Sequence, residues 1–233
     1  MKSMTLIGAL VGVLAVSMSA HSAELTPYEA RYEVQRGGSQ YGEGTRKLTQ
    51  QEGLFKLYSE TEISLLFLSD RRRFWSEFVV DDGQVKSQVF TYKRNGTGRD
   101  SGFSGTFDGA TQQLIDNDSS QVLAVDTATY RMDEAASIEQ LRFDIQDADK
   151  QQFSYFVVDE KGKTDELKFK RGALETLSLP YGEVEAIKVE RVRENSRRET
   201  DYWFAPELNY VLVKMAQRKE GDEVATLLLS QIN

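Results

Sequence analysis

The sequence contains no cysteine and a single histidine, His21. His21 lies in the predicted N-terminal leader, residues 1–23, so the processed chain has no imidazole and no thiol and cannot form a Ser-His-Asp triad or a cysteine nucleophile. Zinc, copper and haem sites built from His and Cys ligands are excluded for the same reason. We therefore expect no cofactor, no metal and no catalytic residue. The lack of disulfides also means that the hydrophobic core alone must stabilise the fold.

Long apolar runs are equally scarce, and the one present lies at the N-terminus. Lys2 precedes the apolar stretch from Leu6 to Val16, and small residues follow in "SMSAHSA". This order is typical of a secretory signal peptide, and the run is shorter than the ~20 residues that span a bilayer. We predict that residues 1–23 are a leader cut near Ser22 or Ala23. The cut removes His21 and leaves no transmembrane helix.

Basic residues are outnumbered, with 29 Lys and Arg against 37 Asp and Glu and a formal net charge of −8. A nucleic-acid-binding protein needs a basic surface to neutralise phosphates, so we expect no nucleic-acid partner. Only three prolines occur, and no Pro-rich or Ser-rich linker divides the chain. Residues 24–233 are therefore predicted to form one β-rich domain, located in the periplasm.

Alternating apolar residues between closely spaced turn signals indicate antiparallel β-structure. Phe74, Ser76 and Phe78 share one face of a predicted strand, and an Asp82-Gly83 turn follows. Period-two alternation with Asp-Gly and Asn-Gly turns is typical of hairpins. One segment departs from this pattern, because Ile138, Leu141 and Ile145 have helical spacing. The predicted fold is mainly β, a curved antiparallel sheet or incomplete β-barrel with one short helix.

Two arginine clusters stand out in this acidic chain, and one of them, in "KVERVRENSRRET", has Arg191 and Arg193 on one strand face and Arg197 and Arg198 at a turn. In "SDRRRFW", Arg71 and Arg73 lie on one strand face and Arg72 on the other. Guanidinium groups suit two-point contact with carboxylate or phosphate, so Arg71 and Arg73 are predicted to contact an anionic head group. The alternative is that the arginines pair across strands with glutamates such as Glu190 and Glu199.

Aromatic residues are frequent on the predicted strands. A twisted sheet with one helix must either close into a barrel or leave a groove, and a groove lined with aromatic rings would bind an acyl chain or an apolar peptide. Trp75 and Trp203 are predicted to line this apolar wall. The alternative is that the aromatic side chains simply fill the core.

Several segments, in this order, resemble an exported bacterial family, domain-of-unknown-function family 3108. The resemblance covers the chain from about Tyr28 to the C-terminus, and "WFAPELNY" is its most specific part. The other segments that carry it include "YEARYEVQRGGSQYGEGTRKL", "FLSDRRRFWSEFVVDDGQV", "FSYFVVDEKGK" and "VERVRENSRRETD". The resemblance implies a periplasmic β-rich domain and brings no catalytic residues and no assigned activity.

These observations favour a non-catalytic binding or chaperone-type module for an amphipathic envelope component, namely a lipid, a lipoprotein or an apolar peptide. A second possibility is an envelope protein that pairs with a partner strand at a sheet edge. A third is a glycan hydrolase that uses only carboxylates, because glycoside hydrolysis needs no more than two acids. No pair of acids is marked in the sequence.

Overall fold

The computed structural model describes residues 23–65, 68–194 and 197–233. These residues form one α-helix, α1 (Glu134–Asp144), a short 3-10 turn (Pro206–Leu208) and fifteen strands. The strands are β1 (Tyr28–Arg36), β2 (Ser39–Gln51), β3 (Leu54–Leu65), β4 (Leu68–Asp81), β5 (Gln84–Gly96), β6 (Ser101–Asp108), β7 (Gln113–Asp116), β8 (Val122–Leu123), β9 (Met132–Asp133), β10 (Gln152–Val158), β11 (Thr164–Leu179), β12 (Gly182–Val192), β13 (Arg198–Ala205), β14 (Val211–Lys219) and β15 (Asp222–Ile232).

Tight two-residue turns connect several of the strands. Gly37 and Gly38 join β1 to β2 with φ of 57° and 76°, and Asp82 and Gly83 join β4 to β5 with φ of 50° and 71°. Positive φ at both central residues matches the right-handed twist of the flanking strands, and glycine and aspartate accept it at low cost. The predicted hairpin at Asp82-Gly83 is therefore confirmed.

All fifteen strands belong to a single open sheet. Its order is β8-β7-β6-β5-β4-β3-β2-β1-β15-β14-β13-β12-β11-β10-β9, and every neighbouring pair is antiparallel except β9 and β10. Residues from β1 to β5 and from β9 to β15 share one buried apolar cluster with α1. Strands so far apart in the sheet can meet only if the sheet curves strongly. The predicted fold, an incomplete barrel with one helix, is confirmed.

The two halves of the curved sheet meet through side chains and isolated hydrogen bonds. Ser87 N on β5 donates to Arg131 O, just before β9, at 2.9 Å. Beyond this point, Phe90, Leu114 and Val125 enclose Val158, at the end of β10, in a second small core. The interior is thereby enclosed, although among the described residues no backbone ladder joins the β5–β8 end of the sheet to its β9–β10 end.

Helix α1 covers one end of this interior. Its N-cap is Asp133, whose carboxylate accepts hydrogen bonds from Ala136 N at 3.0 Å and from the Ser76 and Ser87 hydroxyls. These two serines lie on β4 and β5, so one side chain both starts the helix and attaches it to the sheet. The helix predicted around Ile138 and Leu141 is confirmed.

The predicted leader lies outside the described residues, except for Ala23. Its cleavage, the loss of His21 and the single-domain boundary at residue 24 therefore stay predictions. Within the described part of the chain, no helix has the length and apolar character needed to cross a membrane.

Candidate functional site: a cleft on the concave face

The end of the interior opposite α1 is only partly filled by side chains. On β2, the inward positions near α1 hold Arg46 and Leu48, which are both buried, but the next two inward positions are Gly44 and Gly42. These glycines allow close packing: a Cβ at Gly42 would collide with Glu62 O, and one at Gly44 would lie 3.5 Å from Tyr32 Cβ. The unfilled space consists of two adjacent volumes, one at this end and one that reaches α1, which share Arg72, Met215 and Leu227 among their lining residues.

The outer volume, which we call the mouth cleft, has about 640 Å³ and opens to solvent. Its apolar wall comes from β1, β3, β14 and β15 and consists of Val34, Ile63, Met215, Val224, Ala225 and Leu227. Its charged residues are Arg36, Arg72, Arg94 and Asp70. Three guanidinium groups against one carboxylate make the cleft positive in a chain whose net charge is −8.

Asp70 holds two of these arginines together. Its Oδ2 accepts hydrogen bonds from Arg72 Nη2 at 2.8 Å and Arg72 Nε at 3.2 Å, and its Oδ1 accepts from Arg94 Nε at 2.8 Å. Partial burial raises the pKa of Asp70, but the two guanidinium groups outweigh this and hold the pKa below its usual range. Asp70, Arg72 and Arg94 together carry a net charge of +1, and their hydrogen bonds fix the geometry of the two guanidinium groups before a ligand binds.

The deeper volume, which we call the inner cavity, has about 300 Å³ and extends to the N-terminal turn of α1. Phe74, Ile138, Leu167 and Leu212 are among its apolar lining residues. Its polar lining residues include Tyr32, Arg46, Tyr92, Glu134, Glu160 and Tyr202. Its walls are thus mixed, whereas the mouth cleft combines apolar walls with a cationic group.

Two carboxyl groups of the inner cavity contact each other. Glu134, in the first turn of α1, forms a hydrogen bond with Glu160, in the turn between β10 and β11. Enclosure in the protein, opposed by the charge of Arg191 and aided by the Glu160 carboxylate, raises the pKa of Glu134 to about 7. The pKa of Glu160 is lowered instead, because its hydrogen bonds and the charge of Lys161 outweigh its partial burial.

Arg71 and Arg73 lie outside the cleft, on the convex face of β4. Arg71 pairs with Glu60 at 2.8 Å and with Glu62 at 3.6 Å, and Arg73 donates to Asn95 Oδ1 at 2.6 Å. Arg71 therefore forms the kind of cross-strand ion pair with a glutamate that was the alternative to an anionic ligand. The structure does not place either side chain against the apolar wall, because strand alternation directs both away from it.

Trp75 lies on the same convex face. Its ring packs against Tyr58 at 5.5 Å between centroids and lies 5.7 Å from the Arg73 guanidinium carbon, and 37% of the residue is exposed. Arg71, Arg73 and Trp75 thus form a surface cluster with Tyr58 and Glu60. Of this cluster only Glu60 lines the inner cavity, and Tyr58, Arg71, Arg73 and Trp75 line neither volume.

Trp203 is separated from the other three predicted residues. It is 5% exposed, and its Nε1 donates to Glu175 Oε2 at 2.8 Å. The far end of the β11–β12 hairpin folds over it, with Tyr181 N bonded to Leu229 O at 3.0 Å. Lys214 Nζ stands 4.4 Å from the ring centroid. Trp203 therefore packs under a hairpin on the face opposite Tyr202, which lines the inner cavity.

The cleft uses Arg72 and Arg94, which the sequence interpretation did not select. A usable signal was present, because Arg72 shares its strand face with Phe74 and Phe78, and Arg94 shares its face with Tyr92 and Phe90. An arginine at the end of an apolar face lies at the rim of the core. Among the described residues, no cluster of three or more His, Asp or Glu side chains is arranged to hold a metal ion.

The fold and the cleft together define an open, β-barrel-like domain with a lined interior. The chain belongs to a family with the same sequence signature: residues 28–227 match the model of DUF3108, described as "Protein of unknown function". The resemblance seen in the sequence is confirmed over nearly the whole described chain. No curated protein matches the chain.

Two solved structures are similar to this one. The first is a "Beta-barrel-like Protein of Domain of Unknown Function DUF1849" from Brucella abortus, with a TM-score of 0.57 and 9% identity over 91% of this chain and 98% of that one. The second is a candidate lipoprotein from Parabacteroides distasonis ATCC 8503, with a TM-score of 0.34 and 9% identity over 90% and 96% of the two chains. The first likeness supports the barrel-like fold.

Proposed function

We propose that this protein is a non-catalytic binding module that holds a lipid-like amphipathic molecule of the cell envelope in its cleft. One observation carries the proposal: the concave face has two adjacent volumes of about 640 and 300 Å³, with shared lining residues, that the protein's own side chains leave unfilled. Each lies within or close to the range of ~300–1,000 Å³ that small-molecule sites occupy. A lipoprotein or an apolar peptide is the alternative occupant.

The sheet edges favour cleft binding over pairing with a partner strand. The two terminal strands of the sheet, β8 and β9, have two residues each, and β9 already contacts β5. Strands this short offer few backbone groups to a partner strand, and only residues 152–156 of β10, which β9 does not pair, extend that edge.

The acid pair favours binding over glycan hydrolysis. Glycosidases that use two carboxylates keep them about 5–9.5 Å apart, so that a sugar or a water molecule fits between them. Glu134 and Glu160 are in direct hydrogen-bond contact instead.

Export remains part of the proposal. A short apolar run after Lys2, with small residues behind it, supports secretion to the periplasm. Expression of the full chain followed by cell fractionation and N-terminal mass analysis of the soluble periplasmic fraction tests it. We expect a mature N-terminus at Ala23 or Glu24. An uncleaved chain retained in the cytoplasm would contradict it.

The direct test of binding is to identify and displace what the cleft holds. The protein is purified without unfolding, and solvent extracts are analysed by mass spectrometry, while native mass spectrometry reports bound mass. We expect a co-purifying amphiphile, or uptake of an added alkyl amphiphile at a ratio of one per chain. Purified protein that carries nothing and takes up nothing would contradict the proposal. Recovery of a bound peptide would show that the occupant is a peptide and not a lipid.

Matched variants locate the binding. Thr61→Phe and Gln217→Phe each add a ring to a residue that lines both volumes, and we expect either change to reduce uptake at least tenfold. Thr49→Phe makes the same change on an exposed position of the neighbouring strand β2 and should leave uptake unchanged. Circular dichroism and thermal unfolding confirm that each variant is folded before binding is compared.

A further inference from the structure

The charged groups of the cleft are distributed unevenly between its two ends. Arg72 and Arg94 meet at Asp70 in the mouth cleft, whereas Glu134 and Glu160 meet at the inner end. The apolar side chains of Val34, Ile63 and Leu227 line the mouth beside the arginines. A ligand that carries a negative charge is therefore attracted at the mouth and repelled at the inner end.

The arginine pair retains hydrogen-bond donors for a ligand. Arg72 donates hydrogen bonds to Asp70 from Nε and Nη2, and Arg94 donates one from Nε alone. Within the described residues, Arg72 Nη1 and both Nη atoms of Arg94 have no hydrogen-bond partner. The two side chains are 53% and 40% exposed, so an anion can reach them without displacing a buried group.

Arg36, at the end of β1, adds a third positive charge to the same cleft. It is exposed and forms no ion pair within the described residues, although Glu223 lies close enough to interact with it electrostatically. Arg72 and Arg94 are held by Asp70, but Arg36 is not held in this way. Arg36 can therefore adjust to a bound head group, while the other two arginines keep a fixed geometry.

We infer that the mouth cleft is an anion subsite in which Arg72 and Arg94 bind the phosphate or carboxylate head of an amphiphile, with the apolar part directed toward the inner cavity. This inference rests on the proposed function, because it assigns the head group and orientation of the molecule that the cleft holds. Guanidinium groups bind both phosphate and carboxylate through paired hydrogen bonds, so the experiment must distinguish the two.

The test compares four probes by calorimetry at low salt: dodecyl phosphate, dodecanoate, dodecanol and inorganic phosphate. We expect dodecyl phosphate or dodecanoate to bind at least tenfold more tightly than dodecanol, and the tighter of the two identifies the head. Added salt should weaken binding of the anionic probes, because the arginine pair is exposed to solvent. Salt should leave dodecanol binding nearly unchanged.

Arg72→Gln and Arg94→Gln are the decisive variants, and Arg71→Gln and Arg73→Gln are matched controls on the opposite face of β4. Arg72→Gln and Arg94→Gln should each weaken binding of the preferred anionic probe at least tenfold without changing the binding of dodecanol. The two controls should stay within twofold of the wild type. An equal response in both pairs, or no response in the first, would overturn the inference.

Nuclear magnetic resonance of the arginine Nε–H groups separates the two possible failures. If inorganic phosphate shifts the Arg72 and Arg94 signals but no alkyl probe binds, the anion subsite stands and the proposed function fails. If the alkyl probes bind while phosphate and the arginine variants have no effect, the proposed function stands and the head-group assignment is wrong.

Discussion

A buried charge network supports the closed end of the barrel. Glu139 of α1 accepts hydrogen bonds from the Tyr28 hydroxyl at 2.8 Å, from Arg46 Nε at 3.0 Å and from Arg142 Nη1 at 3.3 Å. Burial raises the pKa of Glu139, but the charges of Arg46 and Arg142 more than offset this, and its pKa is lowered. Glu139 is therefore ionised at neutral pH and links the helix to β1 and β2.

Removal of the Glu139 charge should destabilise the protein strongly. Glu139→Gln leaves Arg46 and Arg142 buried without a counter-charge, and loss of one partner of a buried ion pair costs about 3–5 kcal/mol. Urea unfolding measures the effect. The control is Glu29→Gln, because the Glu29–Lys47 pair at 2.7 Å lies on the exposed face of the same strands, where solvent screening leaves such a pair little net contribution to stability. Similar losses in both variants would show that burial of the network is unimportant.

The acid pair predicts a pH dependence of stability. Glu134 has a pKa of about 7 in the folded protein against 4.5 in the unfolded chain, so the folded state binds more protons between these values. Its contribution to the free energy of unfolding must therefore fall as the pH rises from about 4.5 to about 7. Glu134→Gln should remove this contribution.

Unfolding measured in urea at about pH 5 and about pH 8 tests this linkage. The wild type should lose more stability between the two pH values than Glu134→Gln. Glu160→Gln should show an intermediate loss, because burial of Glu134 persists while the neighbouring carboxylate is gone. A wild-type pH dependence retained in Glu134→Gln would assign the effect to other groups.

At the scale of elements, local sequence patterns predicted which turns and which helix form, but not how the strands bend and pack in the fold. The Asp82-Gly83 hairpin and α1 follow from turn chemistry and helical spacing, which are local properties. The bend in the β11–β12 hairpin was not predicted, because it depends on a register shift between Arg171 and Leu174 and on packing against Trp203. Both depend on residues distant in the chain.

The junction between α1 and the sheet depends on Asp133. Asp133→Ala removes the helix N-cap and leaves the buried Ser76 and Ser87 hydroxyls without their shared acceptor. A lost cap costs ~0.5–2 kcal/mol and each unpaired buried group ~1–3 kcal/mol, so we expect a loss of at least about 2 kcal/mol.

Chemical denaturation and hydrogen exchange in α1 measure this loss. Asp126→Ala is the control, because Asp126 makes comparable hydrogen bonds to Ala128 N and Thr129 in an exposed turn. The exposed turn can exchange these bonds for water, so its loss should be smaller. If Asp126→Ala is as destabilising as Asp133→Ala, the junction has no special role.

At the scale of the whole molecule, enclosure of the interior depends on contacts that no ladder provides. The turn between β10 and β11 packs on β6, and a Cβ added at Gly162 would lie 2.6 Å from Phe103 Cζ and 3.2 Å from Leu123 Cδ1. Gly162 also has φ of 74°, which favours glycine. The turn therefore approaches the sheet as closely as a residue without a side chain permits.

Gly162→Ala should loosen this contact. The expected loss of stability exceeds the ~1 kcal/mol of backbone strain alone, because Phe103 must also move. Gly221→Ala is the control, since Gly221 has φ of 88° and open space around its Cα, so only strain applies. Thermal unfolding compares the two, and access of a fluorescent apolar probe to the interior should rise only in Gly162→Ala. Equal effects would show that the turn does not help to enclose the interior.

The sequence by itself determined the strand alternation, the hairpin turns, the single helix and the family, because these depend on residues close together in the chain or on their order. It placed Arg72 on the face opposite Arg71 and Arg73. Only the tertiary structure decided which of these faces is concave, since curvature arises from fifteen strands packed around one helix. The same packing left the mouth cleft and the inner cavity unfilled and brought Arg94 to Asp70, a contact between residues 24 positions apart in the chain.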